Sequence, residues 1–433
     1  MNDPEHADIP GRTNRATDAS MVIHLHVAIP SVKEDRVIHS SFFETLKKAV
    51  HRILDWSRWL LHRKFQFKSH NYAQREYSNR GDIAIKLVIK ELLQAQFSGV
   101  ELIFSESEWG KLSETAVRRI NEHSSLFVIA GGGYWVFNKS KKISPAFLAD
   151  LPYFNQVKCP LVVFGSGVNF NMPEADSSID VDIDPQLRAA LLDFDRRVDL
   201  FAVRCRSSFN FFQSLGLQNA RLLCDPAVFK SMSGEFPKHK NNVLSIGLNF
   251  AFHGKFVESL LARNILIYIE FLKIVSQHFK AKFYYFIHSD EEFLVAKILQ
   301  SAGVKLTVVD VSANDLANAY RQVDVLICQM MHSNILSFCA GVPALNIAYD
   351  SKNIGFNDLI GMQEFCVSAH LVTVESLVEK MTKLIQSRTT LSQNIATKKA
   401  TLAIEMQNFM RDLGDIVANY PNNASKLAKL AGS

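Results

Sequence analysis

Four short segments carry groups that can hold an anion or move a proton. Gly131-Gly132-Gly133 closes an apolar run, and three glycines let backbone N–H groups approach a phosphate or carboxylate closely. The same triplet also suits a plain tight turn. It lacks the spaced glycines of a dinucleotide site, and no acidic residue sits where a ribose would need one. Gly165-Ser166-Gly167-Val168 is a second glycine pair in the same setting, without the leading residue of a nucleophile elbow, which excludes a serine hydrolase. Arg204 stands before Arg206, Ser207 and Ser208 at the start of a helix. There the guanidinium fork, the orphan amides and the helix dipole all favour an anion, and the alternative is an exposed arginine paired with a carboxylate. His332 follows the run Val325–Cys328, and Lys352 lies beyond the next apolar run. The histidine can give or take a proton near neutral pH and the lysine can neutralise a phosphate. A histidine at a helix start also serves as a cap or core group. Asp180, Asp182 and Asp184 alternate in the manner of a metal set, but no EF-hand glycine or closing glutamate accompanies them, and Asp184 before Pro185 reads as a helix N-cap. No metal is expected.

The elements that must position these residues alternate between strand and helix. Residues 21–30 alternate like a strand and 82–96 read as a helix. Leu126–Ala130, 161–164 and Leu200–Val203 read as buried strands. A helix opens at Asp184-Pro185 and runs to about 198. A second covers 207–215 and is ended by Gly216, before a strand at 221–224. Residues 231–242 are polar, with Gly234 and Pro237, and suit an interdomain linker. A second series follows: strands at 243–248, 282–287, 308–309, Val325–Cys328 and 343–347, with helices at 264–278, 290–302, 313–322 and 332–340. The C-terminal end reads as helices without a strand partner. This pattern predicts an α/β chain of two Rossmann-like, doubly wound domains facing a cleft, with ligands at the carboxyl ends of the strands. The expected division is a leader at 1–20, an N-terminal domain at 21–232, a C-terminal domain at 233–395 and helices at 396–433.

Composition narrows the classes. The 433 residues suit two domains, and a net charge of +5 falls short of a nucleic-acid footprint. Phe is abundant, with 31 residues, against 19 Gly and 12 Pro, which favours packed elements over loops. Six scattered cysteines, without any CxxC pair, read as buried thiols of a reducing compartment. The polar start reads as a disordered leader rather than a signal peptide, and no apolar run reaches the roughly 18–20 residues of a membrane span. The Asn-x-Ser/Thr triplets at Asn138 and Asn423 therefore carry little weight. A cytoplasmic protein is expected. Segment 42–68 places Leu46, Val50, Ile53, Leu54, Leu60 and Leu61 at helical spacing beside Trp56 and Trp59, with many Lys and Arg. Such a basic amphipathic helix either rests on the inner face of an anionic membrane or packs on the body of the protein.

Taken together, the motifs resemble those of the polysaccharide pyruvyl transferases. Asn79-Arg80-Gly81-Asp82 is similar to the N-x-G-D motif that opens that family, and Gly131–Gly133 to its glycine loop. Val203-Arg204 through Ser208, Leu215-Gly216 and Asp225-Pro226-Ala227 resemble its next run. His332-Ser333 through Ala340-Gly341-Val342-Pro343, then Tyr349-Asp350, Lys352 and Gly355-Phe356, resemble its histidine and Y-D-x-K segments. The resemblance spans 79 to about 361. It implies a glycosyltransferase-B-like fold and transfer of pyruvate, as a ketal, from phosphoenolpyruvate to a sugar. By the same resemblance Arg204 binds the donor, His332 serves as acid/base or phosphate contact, and Lys352 neutralises phosphate. Ser208, Gly132 and Gly133 join the donor side, while Asn79 and Asp82, with the glycine loop, shape the acceptor side. The partners implied are the small donor and a glycan or lipid-linked sugar, with no nucleic acid, cofactor or metal. One position departs: the family carries arginine two residues before the histidine, and here that residue is Met330. Lys255 is a candidate substitute; otherwise the donor differs or activity is lost. A nucleotide-sugar glycosyltransferase and a non-catalytic glycan-binding or assembly protein are the alternatives.

Overall fold

Parallel strands covered on both faces have no solvent side, so they read as unbroken apolar runs. β3 (Leu126–Ala130), β7 (Leu200–Val203) and β12 (Val325–Cys328) are such runs, buried along their whole length. With β1 (Ser20–Val27), β2 (Glu101–Glu108), β5 (Leu161–Ser166) and β8 (Ala220–Leu222), the first two of these form a six-stranded sheet in the order β2-β1-β3-β5-β7-β8. Every pairing in it is parallel. A second six-stranded sheet adds β9 (Ser245–Asn249), β10 (Lys282–Phe286), β11 (Leu306–Val309), β13 (Ala344–Ala348) and β14 (Cys366–Ser368), in the order β11-β10-β9-β12-β13-β14 and again all parallel. β4 (Trp135–Phe137) and β6 (Val168–Phe170) pair beside the first sheet. The computed structural model describes residues 20–30, 79–137, 143–170, 183–232, 243–252 and 255–420. The leader at 1–19, segment 42–68, Asn138, Asn423, Asp180, Asp182 and linker residues 233–242 lie outside them, and of Lys255 only the backbone is described.

Helices connect the strands: α1 (Arg80–Gln96), α2 (Glu114–His123), α3 (Pro145–Phe154), α4 (Pro185–Arg197) and α5 (Arg206–Leu215) in the first half. The second half has α6 (Lys255–Phe279), α7 (Glu292–Ser301), α8 (Leu316–Ala319), α9 (Met331–Cys339), α10 (Ser351–Ile360) and α11 (Val374–Asn419). Asp184 caps α4 as expected, accepting from the amides of Gln186 and Leu187, and Gly216 ends α5 in the left-handed region at φ 90°. Three expectations change. The helix expected at 264–278 already begins at Lys255, because the more mixed residues before 264 continue its buried face through Val257, Leu260 and Leu261. The one expected at 313–322 is a single turn followed by a 3-10 turn at Tyr320–Gln322. Among the described residues the C-terminal stretch is one helix, α11, which runs through 395–396 to Asn419, and 421–433 lie outside them.

The chain is therefore doubly wound twice, as two Rossmann-like α/β units. In each sheet the first strand lies inside, and the chain leaves it in opposite directions, towards β2 and β3 in one sheet and β10 and β12 in the other. Such switch points open ligand crevices at the carboxyl ends of the strands. The abundant Phe pays off on one face of the first sheet, where Trp135, Phe147, Phe154, Phe194, Phe201 and Phe212 pack ring against ring. The opposite face shares a continuous core with the second sheet. α11 helps to join them, with Phe409 against Phe164 at 4.7 Å and Gly414 against Gln96.

Candidate active site

The facing ends of the two sheets meet through α1 and α9. Asn79 caps α1, its Oδ1 accepting from the Gly81 amide at 3.0 Å, which fixes which amide atom is oxygen. His332 sits in the first turn of α9, directly after β12, with Nδ1 3.3 Å from that same oxygen. An acceptor at Asn79 requires the proton on Nδ1, so Nε2 presents a lone pair. Arg204 Nη1 lies 3.5 Å from Nε2, and Asp82 Oδ1 lies 3.6 Å from it. The close approach of the two helices is possible because residue 81 is glycine: a Cβ there would fall 2.1 Å from His332 Nδ1.

Arg204 leaves β7 fully buried, at 1% exposure. Its Nη1 donates to Asp225 Oδ2 at 3.3 Å and its Nη2 to Asn169 Oδ1 at 3.4 Å, while Nε has no hydrogen-bond partner among the described residues. The reading of an exposed arginine paired with a carboxylate is thus corrected in its first half: the pair exists, and it is buried. Asp225 is held as the N-cap of the 3-10 helix Pro226–Phe229. Burial lifts its carboxyl above the usual range, with Arg204 opposing that rise. Asn169 reaches Arg204 from β6, and a Cβ on Gly133 would collide with the Asn169 side chain at 2.1 Å. The glycine loop therefore packs against Asn169, while Gly167 abuts Arg204 itself: a Cβ there would lie 2.9 Å from Nε. Gly131 and Gly132 take φ 64° and 70°, and a Cβ on Gly132 would come 3.3 Å from Asp82 Oδ1.

Lys352 projects from the first turn of α10, 5.3 Å from the centroid of the Tyr349 ring, and is half-buried. Burial works against its charge, but Tyr349 and Asp350 outweigh it and hold the ammonium above its usual value. Asp350 caps α10 and accepts from the Lys352 amide, and its Oδ2 is buried without a hydrogen-bond partner among the described residues. His332 feels the sum of these charges. Burial first, then Arg204, Lys352 and His288, keep its imidazole well below its ordinary value, so it is neutral at pH 7. Two cations thus act on a neutral histidine, Arg204 from 3.5 Å and Lys352 through its field, an arrangement suited to an anion and to a proton that moves when the anion arrives.

Asn79, Asp82, Gly132, Gly133, Arg204 and His332 accordingly form one contiguous cluster, with Lys352 beside it. Ser208 lies behind it: its hydroxyl accepts from the Val168 amide at 2.9 Å and meets Cys205 Sγ, bracing the loop that backs Arg204. Asp225 stood in a recognisable D-P-A run, yet its role as counter-charge was not read from it. Asn169 and His288 carry no local sequence signal at all. Met330 is the N-cap residue of α9 and is 7% exposed among apolar neighbours. Among the described residues no group of three or more His, Cys, Asp or Glu could hold a metal ion, and no helix is long and apolar enough to cross a membrane.

Solved structures with a related chain path include TarM of S. aureus, determined with UDP, at 12% identity and TM-score 0.43, the match covering 63% of this chain and 54% of that one. This chain thus spans about half the length of that neighbour. A putative UDP-N-acetylglucosamine 2-epimerase from Listeria monocytogenes is 12% identical at TM-score 0.49, covering 73% and 88%, and the UDP-GlcNAc 2-epimerase from Neisseria meningitidis 10% identical at 0.42, covering 90% and 100%. No curated protein matches by sequence. The profile of polysaccharide pyruvyl transferases matches residues 79–351, from the cap of α1 to the start of α10 and so across the whole cluster. The chain belongs to the polysaccharide pyruvyl transferase family.

Proposed function

We propose that this protein transfers the enolpyruvyl group of phosphoenolpyruvate to a sugar of a polysaccharide or its lipid-linked precursor, and closes it to a pyruvate ketal. The observation that carries the reading is the buried His332, whose Nε2 lies 3.5 Å from Arg204 Nη1 and 3.6 Å from Asp82 Oδ1, in the field of Lys352. A donor bearing both phosphate and carboxylate supplies the negative charge those cations want, and reverses the field at the imidazole. His332 then takes a proton on Nε2, the nitrogen left open by the Asn79 contact. Addition of a sugar hydroxyl to C2 requires protonation of C3, and Nε2–H is the acid. Asp82, 3.6 Å from Nε2, accepts the proton of the attacking hydroxyl. Loss of phosphate leaves an oxocarbenium at C2, a second hydroxyl closes the ring, and its proton departs with the phosphate. The donor is a substrate, and the scheme uses no cofactor.

Met330 favours a second reading. A buried thioether stands where the family places arginine, which suits a glycan-binding or assembly protein that kept the fold without the turnover. Calorimetric titration of phosphoenolpyruvate into the wild type, Arg204→Ala and His332→Ala separates the two. Binding that either substitution weakens supports donor use, whereas no binding at millimolar donor removes the transfer reading and leaves the second.

A further inference from the structure

Trp109 borders the same cleft, although no motif pointed to it. It directly follows β2, and the first sheet switches direction between β1 and β3. The crevice at that switch point is edged by Asp82 of α1, Gly132 after β3 and Trp109 after β2. A Cβ on Gly132 would lie 2.5 Å from Trp109 Cη2 and 3.3 Å from both Trp109 Cζ2 and Asp82 Oδ1. The six-membered ring of the indole and the carboxylate therefore converge over one glycine. The same Asp82 oxygen lies 3.6 Å from His332 Nε2, so the aromatic ring stands next to the reacting groups.

The half-buried indole is held rigidly. Its Nε1–H donates to the His26 carbonyl at 2.9 Å, its backbone N–H to the Val27 carbonyl at 3.0 Å, and its ring packs on Tyr134 at 5.0 Å. The next residues are pinned by Asp150, which accepts from the Gly110 and Leu112 amides, the Tyr134 hydroxyl and His26 Nε2. With the His26 proton on Nε2, the rest of the ladder has one direction. His26 Nδ1 accepts from Ser107, Ser107 accepts from His24 Nε2, and His24 Nδ1 accepts from Ser105, each at 2.8 Å. A fully satisfied polar ladder beneath a partly exposed tryptophan preorganises it, so little order has to be imposed when a ligand arrives.

We propose that Trp109 is the stacking platform for a pyranose ring of the acceptor, with the Asp82 carboxylate accepting one of its hydroxyls. The inference rests on the sugar-transfer reading above for the class of ligand. The C–H groups on one face of a pyranose are electropositive and suit the negative face of an indole, while a carboxylate accepts from a hydroxyl.

The test uses methyl glucoside, galactoside, mannoside and N-acetylglucosaminide as probes in saturation-transfer NMR, on the wild type, Trp109→Phe and Trp109→Ala. Phosphoenolpyruvate calorimetry is run on the same samples. At least one glycoside should bind the wild type with saturation concentrated on the C–H protons of one ring face. Trp109→Ala should weaken it about tenfold and Trp109→Phe by less, with donor affinity unchanged. If Trp109→Ala does not fold, the Trp109→Phe affinity and the wild-type saturation pattern decide. No glycoside binding to the wild type, or binding indifferent to residue 109, overturns the platform and leaves the donor reading untouched. Binding of a glycoside that depends on Trp109, in a protein that ignores phosphoenolpyruvate, keeps the platform and removes the donor.

Discussion

Replacing Arg204 by methionine keeps most of the side-chain length and removes the charge facing Asp225. The carboxylate is left at 0% exposure, with Oδ1 still accepting from the Ala227 amide at 3.0 Å and Oδ2 stripped of its 3.3 Å partner. Breaking a buried pair from one side destabilises by about 3–5 kcal/mol. Asp225 can relieve part of this by holding a proton. Burial already raises it, with Arg204 the first influence opposing that rise, so without Arg204 it rises further. The folded variant then keeps a proton that the unfolded chain releases near 3.8, and more protons bound in the folded state mean that stability falls as pH rises. The slope is at most about 1.4 kcal/mol per pH unit, and it ends where the raised folded-state value is passed. Adding Asp225→Asn, whose side-chain oxygen can still accept from Ala227, should abolish the slope and recover most of the loss. Urea unfolding of the wild type, the single variants and the double variant at pH 5, 6 and 7 measures this. A destabilisation by Arg204→Met that is equal at pH 5 and pH 7 would refute the claim that Arg204 neutralises Asp225 within the site.

Gly81→Ala gains helix propensity but drives a methyl into the His332 ring; a net loss of about 1–3 kcal/mol in thermal unfolding is expected, together with weaker donor binding. A normal melting temperature would show that α1 and α9 do not pack as described. Glu292 is pushed up to about 8 by burial, so the folded chain holds its proton and loses stability as pH climbs from 4.5 towards 8. Glu292→Gln should therefore flatten that part of the pH–stability profile, and an unchanged profile would contradict the buried, protonated carboxyl. Met330→Arg places a guanidinium at a site 7% exposed, with an expected stability loss of about 1–3 kcal/mol in the absence of donor. Calorimetry should show at least a tenfold gain in phosphoenolpyruvate affinity, and an unaltered affinity would put this residue outside the donor's reach.

Most strands were legible because burial on both faces writes itself as apolar runs, as at Leu200–Val203 and Val325–Cys328, whose ends then marked the site. β2 was not, since its sequence, ELIFSESE, mixes polar residues into an edge strand. Ser105 and Ser107 are there to meet His24 and His26, partners that no local pattern announces. α2 and β14 were equally unread: β14 is three half-buried residues, and α2 carries only Val117 and Ile120 as buried apolar residues among polar ones. At the site, motif residues such as Asn79, Arg204 and His332 were visible by type and order. What they do to one another was not. The neutrality of His332 depends first on its burial and then on Arg204 and Lys352, which act on it from separate elements, and the burial of Arg204 depends on Asp225 and Asn169. Trp109 escaped notice because its significance lies in the Gly132 and Asp82 that fold against it.

The central claim is that a doubly anionic donor docks on Arg204 and Lys352 and converts a neutral His332 into the acid. Phosphoenolpyruvate binding measured at pH 7.5 in two buffers of different ionisation enthalpy counts the protons taken up. The account predicts binding with uptake approaching one proton, lost in His332→Gln and weakened at least tenfold in Arg204→Met. Binding without proton uptake, or with an affinity that ignores both substitutions, would contradict it.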